Sequence, residues 1–339
     1  MNSRRLTIAF LLTAALLCGQ THRRTPAKSK GTAHRTVERA PRFDPAEINK
    51  PEQPELHPGD KGSAVLRAQI LLDRAHFSCG ELDGDFGDNL SKTVAAFQQA
   101  RQLPTSGGVD AVTWNALNDD RAPVLTEYTI KAEDEKGPFE PIPAQMSDQA
   151  KLPSLGYSSP AEELGERFHV APSVLKALNP GADLSKEGQQ LTVPNVITMA
   201  PGPAARVEVS KSESSVRAFA ADGKLLAFYV ATIGSEHDPL PIGDWKIRGV
   251  AHNPVFHYNP DLFWDAKSTD EKSTIHAGPN NPVGVVWIDL SKEHYGIHGT
   301  PEPSKIGHTT SHGCIRLTNW DATELASMVK PGVPAILKE

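Results

Sequence analysis

The spacing of apolar residues changes from a helical to a strand period along this chain, and no single layer of secondary structure accommodates both. Between residues 59 and 120, Val65, Ala68, Gln69 and Leu72 share one helical face, Leu90, Val94 and Phe97 repeat the spacing, and Trp114 with Leu117 supplies a third short helix. From Arg206 onward the period is two: Val207 and Val209 alternate with polar residues, Asp222-Gly223 marks a hairpin, and Trp245, Ile247 and the run Val283 to Ile288 add strands. One helix competes, from Trp320 to Val329. The length of 339 residues is too much for one core at roughly 150 residues per domain. The expected fold class is therefore multidomain α+β: a three-helix unit at 59–120, a small α+β module at 121–200, and a mostly-β C-terminal domain at 205–339, a sandwich or barrel.

The start of the chain reads as an address. Arg4 and Arg5 precede an apolar stretch from Leu6 to Leu17, the charge and length of a secretory signal peptide over residues 1–20. Export to the periplasm or cell envelope is the expectation. Cys18 closes the stretch, and lipid attachment there is one reading beside a cleaved signal or an uncleaved anchor. Membrane contact is expected only through this segment, since no later apolar run approaches the roughly 18 residues of a span. Residues 21–58 then read as a disordered, basic and proline-rich linker. Seven basic residues from Arg23 to Arg42 face the single Glu38, and Pro41, Pro45, Pro51, Pro54 and Pro58 stiffen the approach to the three-helix unit. Such a linker serves either as a contact to an anionic envelope surface or as a plain solvated tether. Lys plus Arg is 35 against Asp plus Glu at 41, a net charge of −6 that excludes a nucleic-acid binder working through a global positive field.

In the middle module Ser159, Pro160 and Glu162 make a helix start with a capping box, continued by Leu164 and Phe168. A second helix begins at Pro172, buries Val174, Leu175 and Leu178, and ends at Asn179-Pro180-Gly181; Leu191 and Val193 suggest a strand. Its partner would be Tyr128-Thr129-Ile130, with about twenty-five proline-bearing residues intervening.

Chemistry concentrates at Ser311-His312-Gly313-Cys314-Ile315-Arg316, with His298-Gly299-Thr300 upstream, the His sixteen positions before the Cys. A thiol has an ordinary pKa near 8.5, so a Cys nucleophile needs a basic neighbour, and an imidazole can also shuttle the proton. Gly313 lets substrate approach the backbone, the N–H groups of Gly313 and Cys314 are candidate oxyanion donors, and Arg316 offers a cationic fork. A zinc site built on Cys314, His298, His308 and His312 lacks a paired Cys-x-x-Cys or a His-Glu-x-x-His arrangement. An inert buried Cys fits poorly with a glycine-flanked polar turn, and His308 reads as a surface residue. No metal or cofactor is expected.

Three stretches resemble known families. Residues 65–117, with the Asp83-Gly84-Asp85 turn, the Phe97-Gln98 pair and Thr113-Trp114, resemble the three-helix peptidoglycan-binding domain. Residues 158–194 resemble the later part of a LysM glycan-binding module, with a purely structural spacer as the alternative. The string HGTPEPSKIGHTTSHGCIRL (298–317) resembles the signature of the YkuD-type L,D-transpeptidases, supported by PIGDWKI (241–247) and GPNNPVGVVWIDL (278–290). Two departures are Leu240 where that family often has Thr, and an extra stretch from His252 to Lys272, a lid or a passive insertion. The likeness implies Cys314 as nucleophile, His298 as general base, His312 as a hydrogen-bonding residue that shapes the site, Gly313 and Cys314 as oxyanion donors and Arg316 as a support or substrate contact. Ser311, Asn281 and Gly299 are implied as substrate-binding. It implies attack on the bond before the terminal D-Ala of a peptidoglycan tetrapeptide stem, transfer to an amine of a second stem or of an envelope protein, and inhibition by carbapenems. An L,D-carboxypeptidase or cysteine peptidase using the same residues, and a non-catalytic wall-anchoring protein, stay open as alternatives.

Overall fold

The computed structural model describes residues 42–196 and 199–339. The expected signal segment, Cys18 and the linker through residue 41 lie outside the described residues.

The helical part holds α1 (Pro45–Asn49), α2 (Ser63–Arg74), β1 (Phe77–Ser78), α3 (Asp88–Ala100) and α4 (Ala111–Leu117). The three longer helices bury the apolar faces read from the sequence, including Val65, Leu72, Leu90, Val94, Phe97 and Trp114. The polar pairs in these helices serve the fold. Gln98 Nε2 donates to the Gly108 carbonyl at 2.8 Å and to Thr113 Oγ1 at 2.9 Å, while its Oε1 accepts from Ser106 N and Gly107 N. Gln69 holds the Asp83-Gly84 turn in the same way, accepting from Gly84 N at 2.8 Å and donating to Asp83 Oδ1 at 2.9 Å.

Residues 42–58 differ from the disordered linker expected there. Asp44 caps α1 and Pro45 begins it, and Phe43, Ile48 and Leu56 are buried. Arg67 donates to the Ile48 carbonyl, Trp114 Nε1 to that of Pro54 and Asn118 Nδ2 to that of Pro51, so the segment is strapped across the helices. Three isolated apolar anchors among prolines carry no period, which is why they do not announce themselves.

The middle part holds β2 (Leu125–Thr129), α5 (Ala132–Glu135), α6 (Met146–Gln149), α7 (Pro160–Arg167), α8 (Pro172–Leu178) and β3 (Gln190–Pro194). β2 pairs antiparallel with β3, Tyr128 opposite Leu191. At α7 the Ser159 hydroxyl accepts from Glu162 N, but the returning carboxylate takes the Ser158 N–H instead of that of Ser159.

The C-terminal part holds β4 (Arg206–Ser210), β5 (Ser215–Phe219), β6 (Leu225–Val230), β7 (Thr232–Ile233), β8 (Gly243–His252), β9 (Phe256–Tyr258), β10 (Ser273–Ile275), β11 (Val286–Leu290), β12 (Gly296–His298), β13 (Ile315–Arg316), α9 (Asn319–Met328) and β14 (Pro334–Lys338). Its mixed sheet curls in the order β1-β6-β5-β4-β14-β8-β11-β12-β13-β7, the first strand lent by the helical part. The long β8 turns the corner: Gly243 to Lys246 pair with β14, and residues from Ile247 to His252 pair with β11 across a register shift at Asp289/Leu290. β6 is buried on both faces. Ala227 and Tyr229 join the core with Val207, Ile288 and Leu325, whereas Phe228 and Val230 join the core of the helical part. Strand alternation thereby glues the two parts through one element.

Candidate active site

β12 and β13 run side by side and parallel, with Ile297 opposite Ile315 and His298 opposite Arg316. Strand side chains alternate between faces, so Ile297 and Ile315 enter the core, both fully buried, while His298 and Arg316 turn the other way. Cys314, one step before Ile315, belongs with them. His298, Cys314, His312 and Arg316 all line one cavity of about 940 Å³.

The protein fixes the histidine on both sides. Its Nδ1 donates to the Gly299 carbonyl at 2.7 Å, which leaves Nε2 as the ring's lone pair. Trp287, directly opposite on β11, stacks on the ring at 5.4 Å between centroids. Burial and the Arg316 charge push its pKa down to about 3, so the imidazole is neutral at neutral pH. The Cys314 thiol donates to the His294 carbonyl at 3.7 Å; burial pushes its pKa above the ordinary value, against the lowering effect of the Gly296 backbone N–H and Arg316. Gly313 sits at φ +94°, and a β-carbon there would lie 2.7 Å from Tyr295 Cε1, so the turn presenting the thiol needs glycine.

His312 faces the cavity through Nε2, bonded to Asp265 Oδ1 at 2.8 Å, with the Phe263 ring edge-on at 5.0 Å. Both partners come from the His252–Lys272 stretch, where Trp264 also stacks on His237 at 4.4 Å. That stretch is therefore part of the site's wall. Arg316 Nε and His312 Nδ1 are buried without a hydrogen-bond partner among the described residues.

Three residues expected to bind substrate stand elsewhere. Asn281 is fully buried; its amide donates to the His276 carbonyl at 2.8 Å and its Oδ1 accepts from Val283 N, so it staples its own loop. Ser311 is buried and donates to the Cys314 carbonyl at 2.5 Å, bracing the Cys314 backbone. Gly299 offers its carbonyl to His298 and lies against Asn319, whose Oδ1 would be 2.2 Å from an added β-carbon. Asn281 and Ser311 thus brace backbone, and Gly299 orients the His298 ring. Sequence reasoning missed Trp287, Tyr295 and Asn319. A Trp in an apolar strand reads as core, and Asn319 follows Thr318 as an ordinary first residue of a capped helix.

Comparison with known proteins identifies the family. Residues 204–337 match the YkuD L,D-transpeptidase catalytic domain, and residues 61–117 match the "Putative peptidoglycan binding domain". The "Putative L,D-transpeptidase YkuD" of Bacillus licheniformis is 31% identical over 173 residues, which are 50% of this chain and 88% of that protein. The chain belongs to the YkuD L,D-transpeptidase family. The "Probable L,D-transpeptidase ErfK/SrfK" of Escherichia coli K12 is 28% identical over 181 residues, covering 52% of this chain and 58% of that protein. A solved L,D-transpeptidase from Xylanimonas cellulosilytica aligns at 18% identity and a TM-score of 0.35, over 85% of this chain and 100% of that one. This L,D-transpeptidase is an acyltransferase with peptidoglycan as its partner and the cell wall as its setting. No helix among the described residues is long and apolar enough to cross a membrane.

Proposed function

We propose that Cys314 is the nucleophile and His298 its general base in peptidoglycan transpeptidation. What carries this reading is the placement of a thiol and a neutral imidazole with a free Nε2 on adjacent parallel strands facing one cavity. The thiol proton passes to His298 Nε2 as sulfur bonds to the carbonyl carbon before the terminal D-Ala. The Gly313 and Cys314 N–H groups hold the oxyanion, a contribution of about 10² to 10³ in rate. Collapse breaks the C–N bond, and the imidazolium returns its proton to the departing D-Ala amine. An acceptor amine then gives a proton to His298, attacks the thioester, and restores the thiol. Arg316, cationic and partly unpartnered, suits a substrate carboxylate. His312, held by Asp265, shapes the entrance.

The helical part serves as a peptidoglycan-binding domain, and the middle part, with β2 and β3 paired and α5 to α8 between them in the chain, as a LysM-like glycan-binding module. Both raise the enzyme's concentration at the wall. Export places the protein in the periplasm or envelope. Intact-mass spectrometry after meropenem tests the nucleophile: one adduct on the full chain and none on Cys314→Ala is expected, and an adduct on the variant overturns it. With a disaccharide-tetrapeptide, a crosslinked dimer marks amine transfer; trimmed tripeptide alone marks water as acceptor and a carboxypeptidase.

A further inference from the structure

The cavity holding Cys314 is not built by the catalytic domain alone. Ala144, Gln145 and Met146, from the excursion of residues 131–156 inside the middle module, line it together with Phe256, Tyr258 and Phe263. The excursion is docked on the catalytic domain. Leu155 N donates to the Ala277 carbonyl and Asn280 N to the Leu155 carbonyl, both at 3.0 Å, and Asn280 Nδ2 donates to the Gly156 carbonyl at 2.9 Å. The approach is so close that a β-carbon on Gly278, at φ +150°, would lie 2.0 Å from the Leu155 carbonyl oxygen. α6 packs against β10, and Gln149 Nε2 closes the turn before it on the Pro143 carbonyl at 2.8 Å. Met146 is only half-buried and Gln145 exposed, so both are accessible from the cavity.

We propose that Gln145 and Met146 form a specificity-determining wall for the acyl-donor stem peptide, so that the middle module completes the substrate site as well as standing beside it. The inference rests on the transpeptidase reading above. A flexible thioether and a primary amide suit the aliphatic and amide surfaces of an extended peptide. The donor is the substrate concerned because it must fill this cavity before the acceptor arrives. A compact bicyclic β-lactam is smaller than the stem and acylates at Cys314, so its rate reports that end of the cavity.

The test uses the full chain with Met146→Glu, Met146→Ala, Met146→Leu and Gln145→Ala. The readouts are KM and kcat for a disaccharide-tetrapeptide donor, the second-order rate of meropenem acylation, and the thermal midpoint. Met146→Ala and Met146→Glu are expected to raise donor KM by about five- to tenfold, with kcat and meropenem acylation within about twofold of wild type and Met146→Leu restoring KM. An unchanged donor KM overturns the inference, as does a parallel fall of both reactions with the thermal midpoint or a change confined to the acceptor. A wild-type chain that meropenem does not acylate at Cys314 removes the transpeptidase reading itself, and this inference with it; an active wild type indifferent to Met146 removes only the inference.

Discussion

Asn319, the first residue of α9, donates from Nδ2 to both carboxylate oxygens of Glu166 in α7, at 2.9 and 3.0 Å, while its Oδ1 accepts from Val285 N at 3.1 Å. The same side chain packs on Gly299, whose carbonyl orients His298. A middle-module carboxylate is thus two steps from the proposed base. Replacing Asn319 with Leu strands Val285 N–H and Glu166 in a buried setting, at about 1–3 kcal/mol for each unpaired group. Thermal denaturation should record that loss, and meropenem acylation should slow; a variant with wild-type stability and rate would leave Asn319 without this role.

Glu166 and Asp321 both have carboxyl pKa values raised to about 8 by burial, Asp321 further by the nearby Asp73 charge, and Glu81 is raised to about 7 by burial. All three lie where the parts of the protein meet. A folded value above the unfolded one means stability that is complete below about pH 4 and lost as pH rises toward 7 and 8. His169, whose burial is outweighed by its Asp73 partner so that its pKa rises, acts in the same direction. His298, depressed to about 3, acts oppositely: its contribution is present above about pH 6.5 and lost below it. The thermal midpoint should therefore be higher at pH 6 than at pH 8.5, and Glu166→Gln should shrink the difference. A midpoint that rises across this range contradicts the assignment.

The acylation rate should show no acid limb from His298 between pH 5 and 8, because that ring stays neutral down to about pH 3. It should climb at alkaline pH as the Cys314 thiol, raised by burial, ionises. Stopped-flow acylation by a carbapenem measures this directly. A bell centred near pH 6.5 would mean a charged imidazole pairs with a thiolate instead.

Gly313→Ala places a β-carbon 2.7 Å from Tyr295 in a left-handed conformation at φ +94°. Strain of about 1–3 kcal/mol and displaced oxyanion donors are expected, with acylation falling on the order of 10²-fold. Tyr295→Ala added to it should recover part of the stability and little of the rate, since it frees space without changing the backbone. Equal recovery of both would show that contact alone mattered.

Ile48→Ala should cost about 2–5 kcal/mol, the range for a fully buried aliphatic side chain, although it lies in a stretch with linker composition. Urea denaturation checks it; a change under about 0.5 kcal/mol would mean residues 42–58 do not belong to the folded unit.

The Cys and His of the proposed pair, their sixteen-residue spacing and the strand period around them are local features, and they were legible because a strand's alternation alone decides that His298 and Arg316 face away from Ile297 and Ile315. The helices of the first part were legible for the same reason, since a helical face repeats within a few residues. What only the tertiary structure decided is which groups the neighbouring polar residues serve. Asn281 and Ser311 sit in the motifs yet spend their hydrogen bonds on backbone, and Gly299 turns its carbonyl to the His298 ring, while Trp287, Tyr295 and Met146 line the cavity and Asn319 packs behind Gly299 from positions that no motif marks. Phe43, Ile48 and Leu56 make the same point for the fold: an anchor without a period is visible only once the surface it fills has formed. Local pattern fixes how a side chain points along its own element; burial, charge and partner depend on contacts between distant segments, and these form only when the chain closes on itself.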